Sequence, residues 1–203
     1  MKGQSVVALA SDGTPLFNLG QLYSWLNDYS EALLYLMVAI EVLAGSPSQG
    51  TEMTCMQMRN TSTRVRRLYM IRHRMAIVAQ YSKTLATKGR NTLLPHILDT
   101  FCQELMKIVV FQAHPFAQQI IAILFPGRKE LLTTWQTNLF INFDRLFMTE
   151  DLSGVLKATT LKAMEVRIGI RDYRQLSVCV RCAYCPKLDE LTASRDDKDP
   201  ASL

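Results

Sequence analysis

Arg67-Leu68-Tyr69-Met70-Ile71, then Met75-Ala76-Ile77-Val78-Ala79-Gln80-Tyr81 beyond His73, then Asn91-Thr92-Leu93-Leu94-Pro95-His96-Ile97 beyond Lys88-Gly89-Arg90, are three short segments rich in β-branched and aromatic residues. Runs of this length between turn residues read as strands, and three in succession read as a small antiparallel meander. On either side the hydrophobic period becomes helical. Leu19, Leu22, Tyr23 and Leu26 share one helix face, and Ser30 with Glu31 can start a second helix that runs through Ala44 and stops at Gly45-Ser46-Pro47. Residues 51–59 read as a short helix whose Glu52 lies in the first turn, where a carboxylate suits the positive end of the helix dipole.

Beyond Asp99, Leu98, Phe101, Leu105, Ile108 and Val109 form an apolar stripe, and His114-Pro115 is expected to separate it from a helix over 117–125. Pro126-Gly127 makes a loop, and the spacing predicts further helices over 140–147, 150–161 and 172–182, the last entered through Ile168-Gly169-Ile170. The fold class is therefore mainly α with one small three-stranded antiparallel sheet. Residues 1–186 form a single domain. Residues 187–203, polar and carrying Asp189, Glu190, Asp196, Asp197 and Asp199, read as a disordered acidic tail.

With 48% hydrophobic and 20% charged residues in a chain of 203, a sizeable core can be buried, which excludes a disordered protein. The longest apolar run, 32–44, is interrupted by Glu41 and falls short of the roughly 20 residues a bilayer span needs, so it reads as a buried helix and no membrane partner is expected. The apolar stretch 5–10 is too short for a secretory signal. Five cysteines without framework spacing agree with a reducing compartment, so the expectation is an intracellular protein.

The net charge of +5 conceals a sharper asymmetry. Between Glu52 and Asp99 every charged residue is basic: Arg59, Arg64, Arg66, Arg67, Arg72, Arg74, Lys83, Lys88 and Arg90. A solvated face mixes signs, whereas a one-signed stretch is the footprint of a polyanion, most simply double-stranded DNA. The basic residues follow a strand-like pattern and not an amphipathic helix, which disfavours an anionic membrane surface.

Three blocks recur in a fixed order: Pro47-Ser48-Gln49-Gly50-Thr51-Glu52-Met53, then Tyr81-Ser82-Lys83-Thr84, then Ile170-Arg171-Asp172-Tyr173-Arg174. Singly they match an ordinary loop, a surface lysine and a solvated i, i+3 pair. In this order the chain resembles the tyrosine recombinase (phage-integrase-like) family over roughly residues 33–184. That family places an arginine two residues before a Thr/Ser-Glu-hydrophobic helix start, a lysine in a strand–strand turn, and a His-x-x-Arg block on a later helix. The variety found in fungal mobile elements, and fused to RecQ-type helicases at chromosome ends, is closer still, with Pro-Ser-Arg-Gly-Thr-Glu, a Tyr-His-Lys turn and a Tyr-Arg-Asp helix start. Strand transfer needs cations at the scissile phosphate, because charge builds on its non-bridging oxygens, and a lysine that reaches the leaving oxygen.

The resemblance implies catalytic positions at Lys83 and Arg174, support from Glu52, and replacements at Gln49 and Arg171. Gln49 is a neutral amide and cannot make a charge-assisted bidentate contact to phosphate. Arg171, where the family has histidine, stays protonated and exchanges no proton near neutral pH. The family's final block, a His-bearing helix and the nucleophilic tyrosine, would fall beyond this chain, and Tyr184 comes too early. The resemblance thus implies a nuclear DNA-binding domain, truncated and degenerate, that neither cleaves nor rejoins strands. Any helicase would lie elsewhere in a parent protein, since no Gly-x-x-x-x-Gly-Lys occurs here.

Two rivals stand beside that reading: an active recombinase completed by missing C-terminal sequence or another protomer, and a helical interaction module whose arginines bind an acidic protein. Cys179-x-x-Cys182-x-x-Cys185-Pro186 has the spacing of iron–sulfur ligands but lacks a fourth, and reads as cysteines packed in a helix core. His73, His96 and His114 lie far apart without ligand-spaced partners. No metal and no cofactor are expected.

Overall fold

The computed structural model describes residues 7–9, 11–13, 15–43, 50–81 and 92–184. Gln49, Lys83, Lys88, Arg90, Cys185 and the acidic tail 187–203 lie outside the described residues, as does the side chain of Glu52.

The three predicted strands form as an antiparallel meander, β3 (Leu68–Ile71), β4 (Arg74–Tyr81) and β5 (Thr92–Ile97), with β4 in the centre. The register pairs Tyr69 with Ala76 and Ala76 with Ile97 on one face, and Leu68 with Ile77 and Ile77 with His96 on the other. Since side chains alternate across a strand, Met75 and Ile77 point to one side, where both are buried in the main core, and Tyr69, Ile71, Arg74 and Ile97 point to the other. Two small hairpins form separate two-stranded sheets: β1 (Val7–Leu9) with β2 (Pro15–Phe17), and β6 (Ile141–Asn142) with β7 (Arg145–Leu146).

The helices are α1 (Leu19–Leu43), α2 (Gly50–Thr54), α3 (Thr100–Ile108), α4 (His114–Leu124), α5 (Lys129–Thr137), α6 (Thr149–Met164) and α7 (Ile170–Tyr184). The fold is thus mainly helical with one three-stranded antiparallel sheet, as the sequence implies. The core is built on α1, whose Leu22, Leu26, Tyr29, Leu33, Leu36, Met37 and Ile40 are all buried. Each such aliphatic side chain contributes about 1.5–3 kcal/mol when removed from water.

Five local expectations are overturned. Ser30 does not start a helix: α1 is continuous, and the Ser30 hydroxyl donates to the Leu26 carbonyl at 2.9 Å while accepting from the Phe143 N–H at 3.1 Å. Pro115 does not break the second stripe either. Residues Val109–Ala113 form a π-helical turn between α3 and α4, in which the His114 N–H reaches back five residues to the Val109 carbonyl. The widened turn removes the clash a proline ring makes with the carbonyl four residues earlier, and Pro115 sits in the first turn of α4.

The short helix over 51–59 ends at Thr54, because the backbone of 56–58 pairs with 137–139: Met58 N–H donates to Thr137 and Leu139 N–H to Met56. The apolar run 140–147 is a hairpin and not a helix. Phe143 at its turn has φ of +53°, held by tertiary partners: its carbonyl accepts from Trp135 Nε1 at 3.0 Å, and its ring stacks on Tyr23. Helix α5, absent from the prediction, buries only Leu131 and Trp135, while Thr133, Thr134 and Thr137 bond to carbonyls of the preceding turn.

Asp151 fixes the entry into α6. It accepts the Met148 N–H at 2.8 Å and a two-pronged contact from Arg145 at 2.8 and 3.0 Å, and that guanidinium holds its carboxyl below the usual range. Asp151→Ala removes a helix cap together with a half-exposed ion pair and should cost about 1–2 kcal/mol. Urea unfolding at neutral pH, where the carboxylate is charged, measures it; a change below about 0.5 kcal/mol would show the cap is idle.

Candidate functional site

The Arg171-Asp172-Tyr173-Arg174 block opens α7, and its placement follows from its neighbours. Ile170 is buried, and a Cβ on Gly169 would meet Lys157 Cε and Ser153 Oγ at 2.9 Å, so glycine lets this connection lie tightly on α6. The Ile168 N–H donates to Thr160 Oγ1 at 3.0 Å, and the Gly169 N–H to Asp172 Oδ2 at 3.3 Å. The Tyr173 hydroxyl donates to the Val42 carbonyl at 2.9 Å, tying the block to the last turn of α1. Six residues separate the end of α1 at Leu43 from the start of α2 at Gly50, and α2 itself packs on α6. The structure therefore brings the third block to the end of α1 from which the first block departs, across 131 residues of chain.

Arg171 is exposed and lines a cleft of about 300 Å³ with Thr149, Glu150, Ser153, Lys157 and Asp172, while Arg174 is half-buried and lies outside it. Tyr184 ends α7 at 81% exposed. Thirteen residues of helix, at 1.5 Å each, put it roughly 20 Å from Arg171. Within one chain it cannot attack a phosphate held at the start of α7.

The described basic residues are spread over the sheet and the segment leading into it. Arg59, Arg64, Arg66, Arg72 and Arg74 are exposed and Arg67 is half-buried. The leading segment is pinned: Thr61 N–H donates to the Arg64 carbonyl at 2.8 Å, Arg64 N–H to Thr61 Oγ1 at 3.0 Å, and Arg66 N–H to Asn60 Oδ1 at 2.9 Å. Arg67 extends the β3–β4 ladder by accepting from the Val78 N–H. Arg72 sits at the two-residue hairpin turn with φ of +58°. The ion pairs Lys107–Glu104 and Arg145–Asp151 involve none of Arg59, Arg64, Arg66, Arg72 and Arg74. The β4–β5 connection that contains Lys83 begins after Tyr81, seven residues along β4 from Arg74, which at about 3.3 Å per residue is roughly 23 Å away. A ligand touching both ends of the sheet must be extended.

The cysteine reading is corrected. Cys179 and Cys182 are exposed on α7 and not packed in a core, because the second half of that helix runs past the body. Among the described residues, no group of three or more His, Cys, Asp or Glu side chains could hold a metal ion. His114 is fully buried: its Nε2 lies 2.7 Å from the Trp135 carbonyl and its Nδ1 3.1 Å from the Tyr29 hydroxyl. A carbonyl only accepts, so Nε2 carries the proton and Tyr29 donates to Nδ1. Burial holds the imidazole pKa down at about 4 and pushes the Tyr29 phenol up. This group is structural.

The continuous helix Thr100–Leu124, which the sequence reading divides at Pro115, is long and apolar enough by composition to cross a membrane; its most apolar 18 residues have mean hydropathy 1.2, and 22% of them are buried. Its inner face carries Cys102, Met106, His114, Ala117, Ile120 and Ile121 into the core.

Sequence reasoning missed one feature of the basic segment: the Arg66 guanidinium lies over the Tyr69 ring, 5.1 Å from its centroid. Its only signal is an i, i+3 arginine–aromatic spacing ahead of a strand. No family model, no curated protein and no solved structure matches this chain.

Proposed function

We propose that this chain is a tyrosine-recombinase-like domain that binds double-stranded DNA and has lost strand cleavage. The observation that carries it is the Tyr173–Val42 hydrogen bond, which sets Arg171 and Arg174 beside the end of α1 that leads to Gln49 and Gly50, as a shared phosphate site requires. The acid-free arginine surface supplies the charge for duplex binding. Gln49 in place of arginine and Arg171 in place of histidine weaken transition-state stabilisation, and no tyrosine of the described residues after Arg174 can reach the start of α7. Lys83 and Arg174 are vestiges of the chemistry, with Glu52 of the first block in a supporting role.

A suicide DNA substrate, nicked so that a covalent intermediate cannot religate, tests this. The unmodified chain should yield no protein–DNA adduct, and Gln49→Arg should yield none either, since an arginine worth about 10²–10³ in rate cannot act without a nucleophile. An adduct with the unmodified chain refutes the loss of cleavage. An adduct on Gln49→Arg that disappears with Tyr184→Phe would make Tyr184 the nucleophile, supplied by a second protomer.

A further inference from the structure

The outer face of the three-stranded sheet carries a pattern that duplex binding does not require. Tyr69, Ile71, Arg74 and Ile97 share that face by register, and Arg66 lies over the Tyr69 ring. Ala76, opposite Tyr69 on one neighbouring strand and Ile97 on the other, is fully buried and lies outside the main core. Ile71 and Ile97 are 42% and 49% exposed. A sheet face with a half-buried aromatic ring on its edge strand, exposed isoleucines beside it and arginines around it has two complementary demands: a planar apolar group and an anion. Nucleotides with unstacked bases satisfy both, because a base stacks on the ring while its phosphate meets a guanidinium. A duplex presents its phosphates but keeps its base faces covered.

We infer that this sheet face is a stacking platform for single-stranded nucleic acid. The guanidinium of Arg66 marks the accessible side of the Tyr69 ring in the free protein. On binding, a base takes that side and Arg66 turns to the adjoining phosphate, while Arg74 meets the next one. The inference rests on the basic segment being a polyanion surface and not on the recombinase likeness.

Fluorescence anisotropy of the full chain with a labelled oligothymidylate and with a mixed-sequence duplex, at one fixed salt concentration, tests it. Tyr69→Ala should weaken oligothymidylate binding roughly 5- to 150-fold, the range for losing one stacked base, and Tyr69→Phe should restore it. Duplex affinity should change less than about twofold, since phosphate contacts dominate it. Photocrosslinking the unmodified chain to an iodouracil-substituted oligonucleotide should place the adduct on Tyr69, which keeps the test valid if Tyr69→Ala fails to fold. Absent oligothymidylate binding, an adduct confined to other residues, equal losses on both DNAs, or tight binding of polyglutamate with the same dependence on Tyr69 would overturn the proposal. Loss of duplex binding alone would remove the function proposed above and leave this one standing.

Discussion

The affinity of the unmodified chain for a mixed-sequence duplex should fall about a thousandfold between 50 and 200 mM salt, and Gln substitutions at Arg59, Arg64, Arg72 and Arg74 should reduce that fall to about tenfold. Each phosphate neutralised releases about 0.9 counterion, so six engaged arginines give a steep logarithmic slope and two give a shallow one. The four chosen residues are exposed and make no ion pair among the described residues, so their removal costs no internal contact that would confuse the result. Arg66 and Arg67 are left in place because one stacks on Tyr69 and the other sits in the strand ladder. A shallow slope for the unmodified chain, or the same slope after the four substitutions, would show that the arginines serve something other than DNA phosphates. A filter-binding or anisotropy titration over five salt concentrations is sufficient.

The second large effect concerns stability. Trp135→Ala should cost about 3–5 kcal/mol, a large part of the roughly 5–15 kcal/mol by which a domain is stable. Trp135 is fully buried, its indole N–H satisfies the Phe143 carbonyl, and its own carbonyl accepts from His114 and Gln118. Acid attacks the same place. Because the folded His114 holds its pKa at about 4 against 6.5 when unfolded, its neutral form is favoured by folding. That stability is fully present above pH 6.5 and is lost as pH falls from there through 4, since the unfolded chain takes up the proton first. Unfolding free energy should drop by about 2 kcal/mol from pH 7.5 to 5. In His114→Gln, which removes the titration, that drop should largely vanish while stability at pH 7.5 is lower. Urea melts of both proteins at the two pH values measure it; equal pH dependence in the two would assign the acid sensitivity elsewhere.

The meander was legible because alternation and turn residues are local signals, and Arg67 through Ile97 carries both. Helix α6 was legible from another local signal, the helical spacing of Leu152, Val155 and Leu156. What escaped was decided by distant partners. Phe143 adopts a left-handed backbone because Ser30 and Tyr23, far away in sequence, and Trp135, eight residues before it, hold it. Ser30 resembles a helix start until Phe143 gives its hydroxyl a use inside one. Helix α5 lacks an apolar stripe, so no periodicity announces it. In the candidate site, Arg171 and Arg174 could be picked out by order in the chain, but their link to α1 depends on Tyr173 reaching Val42, which no spacing encodes. The cysteines misled because i, i+3 spacing describes a helix face without saying whether anything covers it.

The π-helical turn at 109–113 sets a count as well as a shape. Cys102, Met106, Val110 and His114 recur every four residues, and in an unbroken α-helix four residues overshoot a turn by about 40°, so the row would wind a third of the way round over three steps. The wider turn unwinds this drift and delivers His114 to Tyr29 on the same side as Cys102. The number of residues between Met106 and His114 is fixed by Pro115. Shortening that interval by one would let the turn close to ordinary α-helix with His114 still in register, but would return Pro115 to a turn too narrow for its ring. Substitution among Phe111 and Gln112, both exposed, leaves the count intact. The segment is permissive in composition and strict in length.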